Sequence, residues 1–357
     1  MAYIGNENEL ILDHDVGYDE YINKIDVNNT DLVLCTFIRT FEDIPTLTLT
    51  NTLTLFDSNT KLQSFKFLDQ KLPNLKHLKI GDCNLSQDVL YTIPVLESLE
   101  FLDLSFNKKI ESFEFLEKMP KLKSLNLKFC KLTSKILETI PILESLELLN
   151  LSSNETIESF EFLERIPMLK YLNLYSCKLT RDIVQTIPEL KNLNSLILSC
   201  NQKITSFEFL EKMPKIEGLE LMRCEMTSEK LKTIPLLESL NMLSLCSNKT
   251  LRSYKNLDKK VPALKWLMLE RCNISARILE TIPIMPLVTR LSLGNNTTLT
   301  FIDCLNDKFP SLQILSIPLC NIIKETIRNM PVFHSVIELR LNNNKDLISI
   351  DGLDKKF

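Results

Sequence analysis

A leucine motif recurs along most of this chain, and its spacing restricts what the chain can fold into. The segments Leu122-Lys-Ser-Leu125-Asn-Leu127-Lys-Phe-Cys130 and Leu169-Lys-Tyr-Leu172-Asn-Leu174-Tyr-Ser-Cys177 have the same spacing, and a second form, such as Leu99-Glu-Phe-Leu102-Asp-Leu104-Ser-Phe-Asn107, ends in Asn. Self-similarity at a fixed short period indicates an array of stacked units, each of which is one supersecondary element.

The two forms alternate in a fixed order. The Cys position recurs at Cys83, Cys130, Cys177, Cys224, Cys272 and Cys320, and the Asn position recurs at Asn107, Asn154, Asn201, Asn248, Asn296 and Asn344. Each series advances by 47 or 48 residues, so one unit has 23 or 24 residues. The sequence therefore contains twelve clear units in register.

Each unit predicts a short strand followed by a short helix. The Leu-x-Leu alternation turns both leucines to one side of a strand and the residue between them to the other side. The segments 112–119 and 134–140 begin with Ser and are followed by proline, which favours short helices that end there. Helices of this length are unstable alone in water, so we expect neighbouring units to hold them by packing.

The pattern L-x-x-L-x-L-x-x-N/C-x-L resembles that of the leucine-rich repeat family over Pro45 to Phe357. The resemblance implies an α/β solenoid, a horseshoe with a parallel concave β-sheet and short helices on the convex side. The Asn-ending units look like the class found in a phosphatase regulatory subunit. The Cys-ending units look like the cysteine-containing class of F-box proteins.

The two ends of the chain predict caps. Residues 1–44 fit no repeat, and we predict an irregular N-terminal cap with these residues facing inward: Ile22, Ile25, Leu32, Leu34 and Phe37. Residues 45–357 form the predicted repeat array, with a degenerate first unit near 46–62 and a minimal cap over 347–357. Leu353 and Phe357 are four residues apart on one helical face and would cover the last core layer. The alternative is a dimer in which another chain covers the final strand edge.

Composition and missing motifs exclude several classes of function. The net charge is −4 and basic residues are not clustered, so we predict no nucleic-acid partner. No apolar run reaches membrane-spanning length, and Met1 to Asp15 lacks the basic start and apolar core of a secretory signal. The phosphate-binding, dinucleotide-binding, zinc-protease and serine-hydrolase motifs are absent, so we predict neither an enzyme nor a cofactor.

The 10 cysteines form neither a metal site nor a disulfide framework by their spacing. No C-x-x-C occurs, and the only histidines are His14, His77 and His334. Successive cysteines of the Cys series lie two strands apart, about 9.6 Å, which exceeds the roughly 7 Å limit between disulfide Cα atoms. We therefore predict buried free thiols and a reducing, intracellular location in the cytoplasm, with the nucleus as the alternative.

The Asn series predicts a structural role. An amide at the strand exit can satisfy backbone groups of the turn and of the next unit. Asn154, Asn248 and Asn296 also match the glycosylation pattern, but a glycan there would force a buried turn open. This again favours an intracellular protein.

The residues beside each pair of strand leucines form the predicted concave surface, and solenoids generally bind on that surface. Its large apolar and aromatic residues are concentrated between Tyr171 and Met268. Because such residues are enriched in protein interfaces, we predict that a protein partner contacts Tyr171, Tyr175, Met222, Met242, Trp266, Met268 and Glu270.

The predicted function is a non-catalytic protein-binding scaffold or adaptor, monomeric and without a membrane partner. Two alternatives remain: an F-box-like substrate receptor of a ubiquitin ligase, and a regulatory subunit of a phosphatase. Residues 1–44 have the length of an F-box but lack its opening Leu-Pro and its helical periodicity, so the adaptor is favoured.

Overall fold

The computed structural model describes residues 2–4, 9–12, 31–34, 39–42, 44–55, 62–351 and 353–356. It divides into two compact units, one of Met1–Cys177 with Thr186–Pro188 and one of Lys178–Gln185 with Glu189–Phe357. Of the residues predicted to form the N-terminal cap, Leu32 is buried. Ile22, Ile25, Phe37, Phe357 and the side chain of Leu34 lie outside the described residues.

The first unit carries a ladder of short strands. They are β1 (Ala2–Ile4), β2 (Glu9–Leu12), β3 (Asp31–Leu34), β4 (Thr52–Leu55), β5 (His77–Lys79), β6 (Phe101–Asp103), β7 (Ser124–Asn126), β8 (Leu148–Asn150) and β9 (Tyr171–Asn173). β1 pairs antiparallel with β2, and each strand from β2 to β8 pairs in parallel with the next one. The central leucines pair with one another, as Leu125 does with Leu149. The parallel ladder of the predicted fold class is confirmed.

The second unit continues the same arrangement within itself. Its strands are β10 (Ser195–Ile197), β11 (Gly218–Glu220), β12 (Met242–Ser244), β13 (Trp266–Met268), β14 (Arg290–Ser292), β15 (Ile314–Ser316) and β16 (Glu338–Arg340). All are parallel and pair in chain order.

Short helices follow the strands, and among the described residues 3-10 helices occur in Asn-ending units and not in Cys-ending units. In the Cys-ending units the helices are α-helices, at Gln87–Tyr91, Ser134–Leu137, Arg181–Gln185, Ser228–Lys232, Ala276–Leu279 and Lys324–Asn329. In the Asn-ending units they are 3-10 helices at Glu114–Lys118, Glu161–Arg165, Glu208–Lys212 and Leu353–Lys355, and α-helices at Leu257–Lys260 and Leu305–Lys308. A further α-helix spans Leu68–Lys71. Within the described ranges, no helix has the length and apolarity to cross a membrane.

In the Cys-ending units, the threonine that precedes the Ile-Pro pair after the α-helix joins consecutive helical turns. The Thr139 hydroxyl donates to the carbonyl oxygen of Ile136 (2.6 Å) and accepts the backbone N–H of Phe113 (2.7 Å). In the second unit, Thr233 makes the same two bonds with Lys230 and Phe207. Because a helix start has unpaired N–H groups, these bonds explain why Thr recurs at this position.

A basic residue at the end of the 3-10 helices Glu114–Lys118 and Glu161–Arg165 binds the helix end of the preceding unit. Lys118 Nζ donates to the carbonyl oxygens of Tyr91 (2.8 Å) and Ile93 (2.6 Å). Arg165 donates to those of Glu138 and Ile140. Cations near unpaired C-terminal carbonyls stabilise helix ends, so the repeated Lys or Arg has a structural role.

Candidate functional site

In each strand from β5 to β15 the central leucine is buried, and the residues on either side of it face away from that leucine. Leu125, Leu149 and Leu172 are buried, whereas the flanking Ser124, Leu148 and Tyr171 are half-buried or exposed. We call the outward residues of β5–β9 the first strand face and those of β10–β16 the second strand face. The two faces belong to different compact units, and each is described separately.

The first strand face contains a depression above a small residue. Ser124 pairs in register with Phe101 on one side and Leu148 on the other, and Leu148 is 43% exposed. The cavity has a volume of about 320 Å³, and its other lining residues are Leu125, Asn126, Leu149, Asn150 and Tyr171. The depression lies above Ser124 because the Ser124 side chain is much smaller than those of its neighbours Phe101 and Leu148.

A row of polar side chains runs beside this depression. The side-chain oxygens of Asp103, Asn126, Asn150 and Asn173 each accept the backbone N–H two residues further on, at 2.8 to 3.2 Å. This local bond fixes the side-chain oxygen of each residue. The amide nitrogens of the three asparagines therefore supply the donors of this row.

The second strand face is centred on Trp266. Trp266 is 37% exposed and pairs in register with Met242 on one side and Arg290 on the other. The Arg290 guanidinium lies 5.8 Å from the centroid of the Trp266 ring, within the range of a cation–π interaction. Met268, on the same strand, is half-buried.

An acidic residue interrupts the second strand face. Glu220 is half-buried at the end of β11, and burial raises the pKa of its carboxyl. In the next turn the backbone N–H of Met222 donates to the Ser199 hydroxyl at 3.1 Å. Glu270 is half-buried two residues after β13.

The residues predicted to contact a partner divide between the two units. Tyr171 and Tyr175 belong to the first unit and are half-buried. The others belong to the second unit, where Trp266 is exposed and the rest are half-buried: Met222, Met242, Met268 and Glu270. Sequence reasoning missed Phe101, Ser124 and Leu148. Aligning strands by the unit length would have shown the small residue between two large ones.

The Asn series lies in the turns and bonds to the backbone. Asn154 Oδ1 accepts the N–H groups of Cys130 (3.0 Å) and Leu132 (3.1 Å), and Nδ2 donates to the carbonyls of Leu127 and Leu151 (both 2.8 Å). The same four bonds are made by Asn248 and Asn296. Bonds of the same kind are found at Asn107, Asn201 and Asn344. With Asn154 fully buried, no surface for a ligand is available at this side chain.

The Cys series is buried, and the nine cysteines in the described ranges are free thiols. Cys130 Sγ donates to the carbonyl of Leu104 at 3.2 Å, and Cys177 Sγ donates to that of Leu151 at 3.3 Å. Burial raises the pKa of Cys130, Cys177 and Cys272 to about 12 and that of Cys224 to about 11. Since the thiolate is the reactive form, these thiols are poor nucleophiles and poor metal ligands. Among the described residues, no cluster of His, Cys, Asp or Glu could hold a metal ion.

Comparison with known proteins agrees with this geometry. Residues 97–138 match the family described as leucine-rich repeats in two copies. A crystal structure of TLR13 in complex with ssRNA13 is similar with a TM-score of 0.56 and 17% identity, over 95% of this chain and 63% of the TLR13 chain. An internalin, inlF of Listeria monocytogenes, is similar with a TM-score of 0.49 and 18% identity, over 97% of this chain and 85% of the internalin. Among curated proteins, none matches the sequence.

The twelve units, the family match over residues 97–138 and the similarity to the TLR13 structure show that this chain has a leucine-rich repeat fold. Folds of this family typically serve as binding scaffolds. The chain spans 63% of the length of the TLR13 chain, so the likeness extends to the fold and not to the whole of that protein.

Proposed function

We propose that the chain is a non-catalytic protein-binding scaffold that contacts its partner through the second strand face. The observation that carries the proposal is the exposure of Trp266 between Met242 and Arg290. The core takes Leu267 of β13 and Leu269 just after it, so core packing does not explain a large aromatic residue on the outward side. Trp and Arg are the residues that dominate binding energy in protein interfaces.

The charges near Trp266 suggest the chemistry of the partner. Glu220 keeps its carboxylate in a partly desolvated place, and a basic side chain of a partner would favour the charged form. Met268 offers a polarizable, adaptable surface to an apolar side chain. We therefore infer a partner segment that combines a basic residue with a large apolar one.

Affinity purification of the tagged full chain from cells, quantified by mass spectrometry, tests the proposal. We expect Trp266→Ala to weaken capture of the partner by about thirtyfold, the equivalent of about 2 kcal/mol. Met268→Ala should weaken it less. Met168→Ala is the matched control, because Met168 is exposed outside the strands. Unchanged capture by Trp266→Ala, with loss in the control, would place binding elsewhere.

The identity of the captured proteins would also separate the finer roles. The likeness of the Asn-ending and Cys-ending units supports a phosphatase subunit and an F-box-like receptor, respectively, and an adaptor needs neither partner. Capture of a phosphatase catalytic subunit, or of the adaptor that F-box proteins bind, would select one of them.

The free thiols of the described cysteines support an intracellular location. Because TLR13 is found with single-stranded RNA, the exclusion of nucleic acid rests on charge alone, and RNA recovered with the chain would argue against a protein partner.

A further inference from the structure

Two exposed phenylalanines lie side by side in the turns that follow β6 and β7. Phe106 is 38% exposed and Phe129 is 39% exposed, and their ring centroids are 5.4 Å apart with the planes inclined by 42°. Lys128 Nζ lies 5.6 Å from the Phe106 centroid, and Lys108 Nζ lies 4.9 Å from the Phe129 centroid. We call these four residues the Phe–Lys platform.

The backbone at both phenylalanines is left-handed, with φ of 63° at Phe106 and 56° at Phe129. The other units reach the same conformation mostly with small or polar residues: Asp82, Ser153, Ser176, Cys200, Arg223, Ser247, Arg271, Asn295 and Asn343. A bulky L-residue is strained in this region, and an exposed ring gains little from the core. The stability of the fold therefore does not explain why two consecutive units both have phenylalanine at this turn position.

Lysines predominate in the two turns that carry the rings, although Asp82 holds the same turn position in the preceding unit and its backbone N–H donates to the carbonyl of Ser105. The segments 105–110 and 128–132 contain Lys108, Lys109, Lys128 and Lys131 and no acidic residue, although the whole chain carries a charge of −4. None of the ion pairs found in the described ranges involves these lysines. An anionic ligand with an apolar group would complement both the lysines and the rings.

We propose that the Phe–Lys platform binds an acidic peptide segment in which carboxylates flank a large apolar side chain. The carboxylates would pair with the lysines, and the apolar side chain would pack against the ring edges. Nucleic-acid bases are less suited to this surface, because stacking needs an open ring face. Here each ring has an ammonium group over it, and the two rings contact each other.

A phage-displayed library of random peptides, selected on the full chain, tests the proposal. The counter-selection target is the double variant F106S/F129S, which should fold because Ser153, Ser176 and Ser247 occupy the same position in other units. We expect the enriched peptides to combine acidic and large apolar residues. Labelled copies should bind F106S/F129S and K108Q/K128Q at least about tenfold more weakly than the parent chain.

Two control variants separate this surface from others. Leu319→Ser changes an apolar residue that holds the same turn position in a later unit and should leave peptide affinity unchanged. Trp266→Ala should also leave it unchanged, so failure of the platform is distinguishable from failure of the proposed function. The proposal is overturned if enriched peptides are basic, if none prefers the parent over F106S/F129S, or if a random single-stranded RNA pool binds the parent and displaces the peptides.

Discussion

The Asn154 side chain hydrogen-bonds the backbone of two units through both its oxygen and its nitrogen, and at the scale of single residues these bonds hold the turn in place. Alanine would leave the N–H groups of Cys130 and Leu132 buried without partners, at about 1 to 3 kcal/mol each. We expect Asn154→Ala to lower the free energy of unfolding in urea by about 3 kcal/mol or more. Asn150→Ala is the control, because Asn150 is half-buried on the strand face. A similar loss in both variants would contradict the structural role.

Tyr254 occupies the position that Phe113, Phe160 and Phe207 hold in earlier Asn-ending units, and its buried hydroxyl has no nitrogen or oxygen partner and only the weakly bonding Cys272 thiol beside it. Burial raises the pKa of this hydroxyl well above its ordinary value. Since an unmade buried hydrogen bond is unfavourable, Tyr254→Phe should raise the free energy of unfolding by about 1 kcal/mol. Thermal unfolding measures the change. The reverse substitution, Phe207→Tyr, should destabilise, and a loss of stability in Tyr254→Phe would refute the argument.

Glu220, on the second strand face, makes the stability of the fold depend on pH. Its folded pKa is raised by burial, so the folded state holds the proton more tightly than the unfolded state does. The stability from this group is therefore complete below the ordinary pKa of 4.5 and is lost as the pH rises through the folded pKa. We expect Glu220→Gln to raise the melting temperature at neutral pH and to have no such effect in acid. Glu217→Gln, at an exposed neighbour, should show no such difference, and equal shifts at both pH values would contradict this origin.

At the scale of the strand, neighbouring residues have opposite roles. Leu172 is fully buried in β9 and Tyr171 is half-buried on the first strand face. Truncating a buried leucine costs about 2 to 5 kcal/mol, whereas surface changes usually stay within about 0.5 kcal/mol. Leu172→Ala should therefore lower the melting temperature strongly and Tyr171→Ala should lower it little. Equal shifts for the two variants would mean that the strand register is wrong.

The strands could be predicted because a two-residue alternation fixes which side chains are buried. The Leu122 to Cys130 segment places a strand at Ser124–Asn126, where the structure has one. The helix at Ser134–Leu137 begins at the serine that predicted it. The 3-10 type of Glu114–Lys118 was not predicted, although the sequence contains a signal for it. Phe113, Leu116 and Met119 are buried at intervals of three residues, which matches the three residues per turn of a 3-10 helix.

The candidate site could be predicted only in part, because exposure depends on side-chain sizes in neighbouring units. The outward position of Trp266 follows from its own strand. The depression above Ser124 depends on Phe101 and Leu148, which lie about one unit away in sequence. The exposed rings of Phe106 and Phe129 depend on a left-handed turn whose conformation the leucine spacing does not reveal.

At the scale of the whole molecule, the buried thiols make the stability of both compact units fall at alkaline pH. Burial raises the pKa of Cys130, Cys177 and Cys272 to about 12 and that of Cys224 to about 11, from an ordinary value of 9.0. The folded chain therefore binds more protons than the unfolded chain between these values. The stability from each thiol is complete below pH about 9 and is lost as the pH rises through its folded pKa.

We expect the chain to unfold cooperatively above pH about 9, because each of these thiols lowers the free energy of unfolding by up to about 1.4 kcal/mol per pH unit in that range. Urea unfolding followed by circular dichroism at a series of alkaline pH values measures the slope. Cys130→Ala removes one titrating group. The free energy of unfolding of this variant should therefore fall less steeply with pH, by the contribution of up to one proton, even though its stability at neutral pH is lower. Leu132→Ala, at a buried neighbour in the same turn, should lower stability without changing the slope. If Cys130→Ala kept the parent slope, thiol ionisation would not be what limits the folded state in alkali.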